Sequence, residues 1–127
     1  HASSSAASDV YKRQDRKCNT NHRGGVAFYV NKHCKHVVRD DLSSEKLELL
    51  TIELMPMNRK PTIVVLWYRV PGSCIDLFDH LQQLLHVVES EDKDYILMGD
   101  LNCDLLTTTP HCYTKRLNFI SESFNLK

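Results

Sequence analysis

Polar and apolar positions along this chain change rhythm several times, and each change marks an element. After Gly24-Gly25, the run Val26-Ala27-Phe28-Tyr29-Val30 mixes β-branched and aromatic residues in the alternation of a pleated strand. A shorter extended piece is expected at His36-Val37-Val38-Arg39, then a loop at Asp40-Asp41-Leu42-Ser43-Ser44. Leu47 to Leu54 returns to strand alternation, with Leu50, Ile52 and Leu54 on an apolar face and Leu49, Thr51 and Glu53 on a mixed one. Met55 to Pro61 carries Pro56, Pro61 and several polar residues, which predicts a hairpin connection between antiparallel strands. Thr62-Ile63-Val64-Val65-Leu66-Trp67-Tyr68 is an unbroken, β-rich run expected at the centre of the sheet with both faces covered. Val70-Pro71-Gly72-Ser73 ends it. From about Ile75 the period becomes helical through Leu77, Phe78, Leu81, Leu84, Leu85 and Val88, with Ser73 or Asp76 as the cap. Polar residues from Glu89 to Lys93 stop that helix. Tyr95-Ile96-Leu97-Met98 then reads as a strand buried on both sides. A Thr-rich loop from Asp104 to His111 leads to a second amphipathic helix over Lys115 to Phe124, through Leu117, Ile120 and Phe124. The order strand, helix, strand implies an α/β fold.

Composition narrows the setting. With 127 residues and 42% hydrophobic content the chain is long enough for one core, and neither a repeat nor a Gly/Ser linker divides it after residue 24. Sixteen basic and sixteen acidic residues cancel, so overall charge argues neither for nor against a nucleic-acid partner. No apolar run is long enough for a membrane span, and the N-terminus lacks the order of a secretory signal, so no membrane partner is expected. Five cysteines (Cys18, Cys34, Cys74, Cys103 and Cys112) at irregular spacing fit reduced thiols, which implies an intracellular, nuclear or cytoplasmic setting. Both ends look cut. Residues 1–14 are Ser/Ala-rich and resemble translated adaptor sequence, so residues 1–22 are expected to be a non-native or disordered leader, and 23–127 an incomplete domain.

The candidate chemistry begins at Gly99-Asp100-Leu101-Asn102, which follows a buried strand and places a carboxylate and a carboxamide where the backbone turns. The plain alternative is a turn built from turn-forming residues. Tyr68 joins the pair because its own strand also ends in a break, and parallel neighbouring strands would align the two ends. Such a set suits a phosphodiester: a carboxylate orients or deprotonates water and binds Mg²⁺, while an amide and a phenol donate to non-bridging oxygens. A core tyrosine with a satisfied hydroxyl is the alternative for Tyr68.

Gly24-Gly25-Val26-Ala27-Phe28-Tyr29-Val30, Leu49-Leu50-Thr51-Ile52-Glu53, Trp67-Tyr68-Arg69-Val70-Pro71-Gly72-Ser73 and Gly99-Asp100-Leu101-Asn102 occur in that order over residues 23–126. Together these blocks resemble the endonuclease/exonuclease/phosphatase superfamily, in particular the apurinic-endonuclease-like domains of non-LTR retrotransposons. The resemblance implies part of a four-layer α/β/β/α sandwich with outer helices. It implies cleavage of phosphodiester bonds in DNA with Mg²⁺ or Mn²⁺, and a reverse-transcriptase domain in the same polyprotein. It matches Asp100 to the aspartate that positions or activates the attacking water and gives the metal partial support. Asn102 matches the asparagine that contacts the scissile phosphate, and Tyr68 the active-site tyrosine. Arg69 follows Tyr68 as in many retrotransposon versions and is expected to contact substrate, with a solvated strand-end charge as its alternative.

The departures are as specific as the matches. The resemblance calls for an N-terminal strand with an asparagine and another with a metal-binding glutamate before Gly24, and residues 1–23 carry no glutamate and no strand pattern. No histidine lies in a Ser-Asp-His block. This polypeptide alone is therefore expected to have negligible nuclease activity. Three competing readings stand beside it. One is a phosphatase of the same superfamily acting on a small phosphoester, and one is a non-catalytic remnant. The last is a zinc module drawing on His33-Cys34-Lys35-His36, Cys18, His22 and His111-Cys112, although Cys34 and His36 share a strand face and no two cysteines have finger spacing.

Overall fold

The computed structural model describes residues 25–127, together with the backbone of three short strands before them. In chain order the elements are β1 (Ser8–Arg13), β2 (Lys17–Cys18), β3 (Asn21–His22), β4 (Val26–Asn31), β5 (His36–Val38), β6 (Glu48–Leu54) and β7 (Thr62–Tyr68). The helix α1 (Leu77–Ser90), the strand β8 (Asp94–Met98) and the helix α2 (Cys112–Ser123) complete the chain. A four-stranded sheet in the order β5-β6-β7-β8 is its centre. The first two pairings are antiparallel, and β7 pairs with β8 in parallel, as a connection through a crossover helix requires. The α/β architecture expected from the sequence is thus present.

Side-chain alternation splits the sheet between two cores. Leu49, Ile63, Val65 and Trp67 point toward the helices and pack with Phe78, Leu81, Leu85 and Val88 of α1 and with Leu117 and Ile120 of α2. On the other face, Ile52 and Val64 meet Val30 of β4, flanked by Phe28, Val38 and Leu54. Three layers result: helices, central sheet, and the β1–β4 ribbon.

Glu53 lies on the helix-facing side, yet it is buried, because basic groups close over it. Its carboxylate binds Arg39, just beyond β5, and Lys93, just before β8, the latter at 2.7 Å. Arg39 also grips Asp41 and Glu91, and Lys93 reaches Glu91 at 3.0 Å. Hydrogen bonds from Arg39 hold the Glu91 carboxyl down at about 2, against an ordinary value of 4.5. Lys93 does most to lower the pKa of Glu53, and Arg39 that of Asp41. The cluster ties the loop after β5 to the end of α1.

Several expectations change. The leader assigned to residues 1–22 falls in part on residues outside those described, but the backbone of Ser8–Arg13 is a strand, antiparallel to β4 from Ser8↔Asn31 to Arg13↔Val26. Ladder bonds are made by the backbone, so a segment without apolar periodicity can still complete an open edge. The strand β8 is not buried on both sides: Ile96 is 50% and Met98 48% exposed, while Tyr95 and Leu97 pack on the helix side. It is the sheet's edge, and the ribbon covers β6 and β7 rather than β8. Asp76 stands at the N-cap of α1 without a side-chain capping bond. Finally, α2 starts at Cys112, not Lys115, because Thr114 is buried in its first turn behind an extended His111 cap.

Candidate active site

Parallel pairing of β7 and β8 runs to Leu66↔Met98, so continuing both chains by two residues brings Tyr68 and Asp100 to the same end of the sheet. The alignment persists past the strands, where the Arg69 N–H donates to Asp100 O at 2.9 Å. Gly99 makes this approach feasible. Its φ is +133°, and a Cβ there would lie 2.0 Å from the Trp67 carbonyl oxygen, a collision with backbone that no rotamer relieves.

Beyond Gly99 the chain forms a tight, cross-braced loop. Asp100 is exposed, and its Oδ1 accepts the Asn102 backbone N–H at 3.0 Å, an Asx-type turn. Asn102 is also exposed and adopts a left-handed φ of 48°, a conformation asparagine tolerates better than most residues. Its Nδ2 donates to Arg69 O at 2.6 Å. The turn expected from these residue types is therefore present, and both of its polar residues remain exposed at the strand end.

Arg69 is 1% exposed and is not a solvated strand-end charge. Its Nε donates to Leu101 O at 2.6 Å, one terminal nitrogen to Asn102 O at 2.8 Å, and the other to Ser73 Oγ at 3.1 Å. The guanidinium carbon lies 4.4 Å from the Tyr113 ring centroid and 5.5 Å from that of Phe78. Among the described residues, no carboxylate pairs with it. Burial pushes the nearby Cys103 thiol up, with Arg69 pulling the other way.

Tyr68 is half-buried as the last residue of β7, directly across from Glu48 on β6. Glu48 Oε2 accepts the Gly25 N–H at 3.1 Å and so ties the start of β4 to this end of the sheet. Sequence reasoning passed over Glu48. Counting back from the hairpin turn would have found it, since a register that sets Leu54 against Thr62 also sets Glu48 against Tyr68.

A depression beside the loop is lined by Gly99, Asp100, Leu101, Asn102, Cys103, Leu105 and Leu117. The donor set does not complete a magnesium site. Asp100 supplies one carboxylate with an oxygen already engaged, and no three His, Cys, Asp or Glu residues gather into a metal-binding group among the described residues. The cluster proposed for zinc is likewise dispersed there: His36 Nδ1 pairs with Cys34 O at 2.6 Å, and His111 Nδ1 lies 3.2 Å from the adjacent Cys112 Sγ. The side chains of Cys18 and His22 lie outside the described residues. Cys34, Cys74, Cys103 and Cys112 are free thiols.

The sequence matches no family profile and no curated protein. Among solved structures, the fold is similar to the endonuclease domain of TRAS1, a telomere-specific non-LTR retrotransposon. The TM-score is 0.67 at 12% identity, over 91% of this chain and 52% of that one. The chain thus spans about half the length of that domain, and the likeness is one of fold.

Proposed function

We propose that this chain is part of a phosphodiester-cleaving endonuclease domain that nicks DNA, with Asp100, Asn102 and Tyr68 as its contribution to the catalytic centre. One observation carries the reading: two parallel strands end side by side, presenting a phenol-bearing residue and an Asp-x-Asn turn at one sheet edge. The retrotransposon-endonuclease fold supports it. In this reading Asp100 uses the oxygen not bonded to Asn102 N–H to orient and deprotonate a water. Asn102 uses its remaining amide proton on a non-bridging phosphate oxygen, and Tyr68 donates from the strand end. Rigid donors aimed at a developing charge are the usual means of stabilising such a transition state.

Mg²⁺, replaceable by Mn²⁺, is the cofactor proposed for the complete domain, and Asp100 is one of its supports. Further oxygen ligands must come from outside the residues that line this loop. DNA, and a reverse-transcriptase domain in the same polyprotein, are the proposed partners, inside the cell.

The test is nicking of supercoiled plasmid DNA in Mg²⁺ by a polypeptide extended along its reading frame on both sides of these residues. Nicking by the extended polypeptide and its loss in Asp100→Ala, by about a hundredfold or more, are expected. The 127-residue chain is expected to be inactive. Hydrolysis of small phosphoesters with intact plasmid would shift the reading to a phosphatase, and equal nicking by Asp100→Ala would end it.

A further inference from the structure

Arg69 has the burial of a core residue, the charge of a ligand-binding residue, and no carboxylate among the described residues to neutralise it. Its partners explain why it is tolerated. Two of its nitrogens each hold one of two successive carbonyls, those of Leu101 and Asn102, and a third holds Ser73 Oγ. Asn102 binds back, its Nδ2 donating to Arg69 O, and the Arg69 N–H donates to the carbonyl of Asp100. Four hydrogen bonds therefore join one residue after β7 to the three consecutive residues carrying the candidate acid and amide.

The aromatic rings of Tyr113 and Phe78 complete the lock. They lie against the guanidinium, and they bring α2 and α1 to bear on the same group. Lysine is no substitute, because a single ammonium cannot bond two adjacent carbonyls in a planar fork. The Asn102 backbone is left-handed, and the guanidinium bonded to its carbonyl holds it there.

We infer that Arg69 is a positioning residue, which holds the Asp100-Leu101-Asn102 turn in the conformation that presents Asp100 and one Asn102 amide proton, and which does not itself touch the phosphate. This deepens the proposed function and rests on it for the identity of the turn as a site. The lock itself is measured without any reaction.

The experiment is solution NMR of the 127-residue chain and of Arg69→Lys, with Ser73→Ala as a milder variant. In the parent chain the two side-chain amide protons of Asn102 should resonate far apart, because only one bonds to Arg69 O, and the Arg69 backbone amide should exchange slowly. In Arg69→Lys the charge stays and the fork is lost. The Asn102 pair should collapse toward the separation of a free asparagine and Arg69-site amide exchange should accelerate about tenfold or more. The Trp67 indole and Leu81 methyl signals, deep in the helix-side core, should hold their positions and report that the fold survives. Ser73→Ala should move the Asn102 signals less.

Unchanged Asn102 signals in a folded Arg69→Lys chain would overturn the inference, since the turn would then hold itself. If Arg69→Lys unfolds, Ser73→Ala decides: a shift at Asn102 supports the lock, and none refutes it. Failure of the plasmid assay with an intact lock would remove the nuclease reading alone.

Discussion

Two arginines, Arg69 buried and Arg39 half-buried, hold this sheet at opposite ends, and they are handled in contrary ways. Arg39, at the amino ends of β7 and β8, is saturated with acid: Asp41, Glu53 and Glu91 all bind it, with Lys93 closing the network. Arg69, at the carboxyl ends, meets carbonyls, a hydroxyl and two rings, and no carboxylate among the described residues. Where the charge is neutralised, the result is a clamp between loop, strand and helix. Where it is left unpaired, a positive field stays beside exposed Asp100 and Asn102 at the edge where a phosphate is proposed to bind. The difference separates the end of the sheet held by ion pairs from the end that carries the candidate site.

Replacing Gly99 by alanine should give the largest effect, because it destroys the alignment of the two strand ends at the candidate site. A Cβ 2.0 Å from the Trp67 carbonyl must push β8 from β7, and a loss of at least about 3 kcal/mol in urea denaturation is expected. A neutral result would mean that the two strand ends are not pinned together.

Arg39→Met comes next, at about 2 to 3 kcal/mol, since Glu53 would stay buried with Lys93 as its remaining cation. A loss below about 0.5 kcal/mol would mean that the clamp is no more than a surface ion pair.

Acid should separate the two ends without mutation. Glu91 is held at about 2 and the Glu53 and Asp41 carboxyls are also depressed, so their folded forms keep their charge below the pH at which the unfolded chain takes up protons. The stabilisation from Glu91 is complete above about pH 4.5 and is lost as the pH falls toward 2, and Glu53 and Asp41 add losses of the same sign on acidification. The urea midpoint should drop over that window, and Arg39→Met should flatten the slope. A slope unchanged in Arg39→Met would place the acid sensitivity elsewhere.

Ser73→Ala should be smallest, at about 1 kcal/mol by thermal denaturation, because Arg69 keeps its carbonyl bonds. A loss as large as that of Arg39→Met would show that Arg69 depends on a hydroxyl as heavily as Arg39 depends on acids.

Much of this was legible beforehand. The β7 run, the helical period from Leu77 to Val88 and the Gly-Asp-x-Asn strand end were each strong local signals, and all three elements lie where their residues indicated. The burial of Arg69 was not legible, because charge beside a strand break usually faces water. Its burial depends on rings from two helices that arrive 9 and 44 residues later. Ser8–Arg13 was passed over for the opposite reason: a strand completed by backbone pairing leaves little mark on side-chain pattern.

By itself the sequence determined the α/β alternation and the coincidence of Tyr68 and Asp100 at strand ends, since periodicity and turn chemistry are local properties. Only the tertiary structure decided that β8 is an exposed edge, that Glu53 is buried by salt bridges, and that Arg69 braces the Asp100-Asn102 turn. Those outcomes depend on which surfaces meet across the fold, and burial, ion pairing and a shared guanidinium exist only once distant segments are packed together.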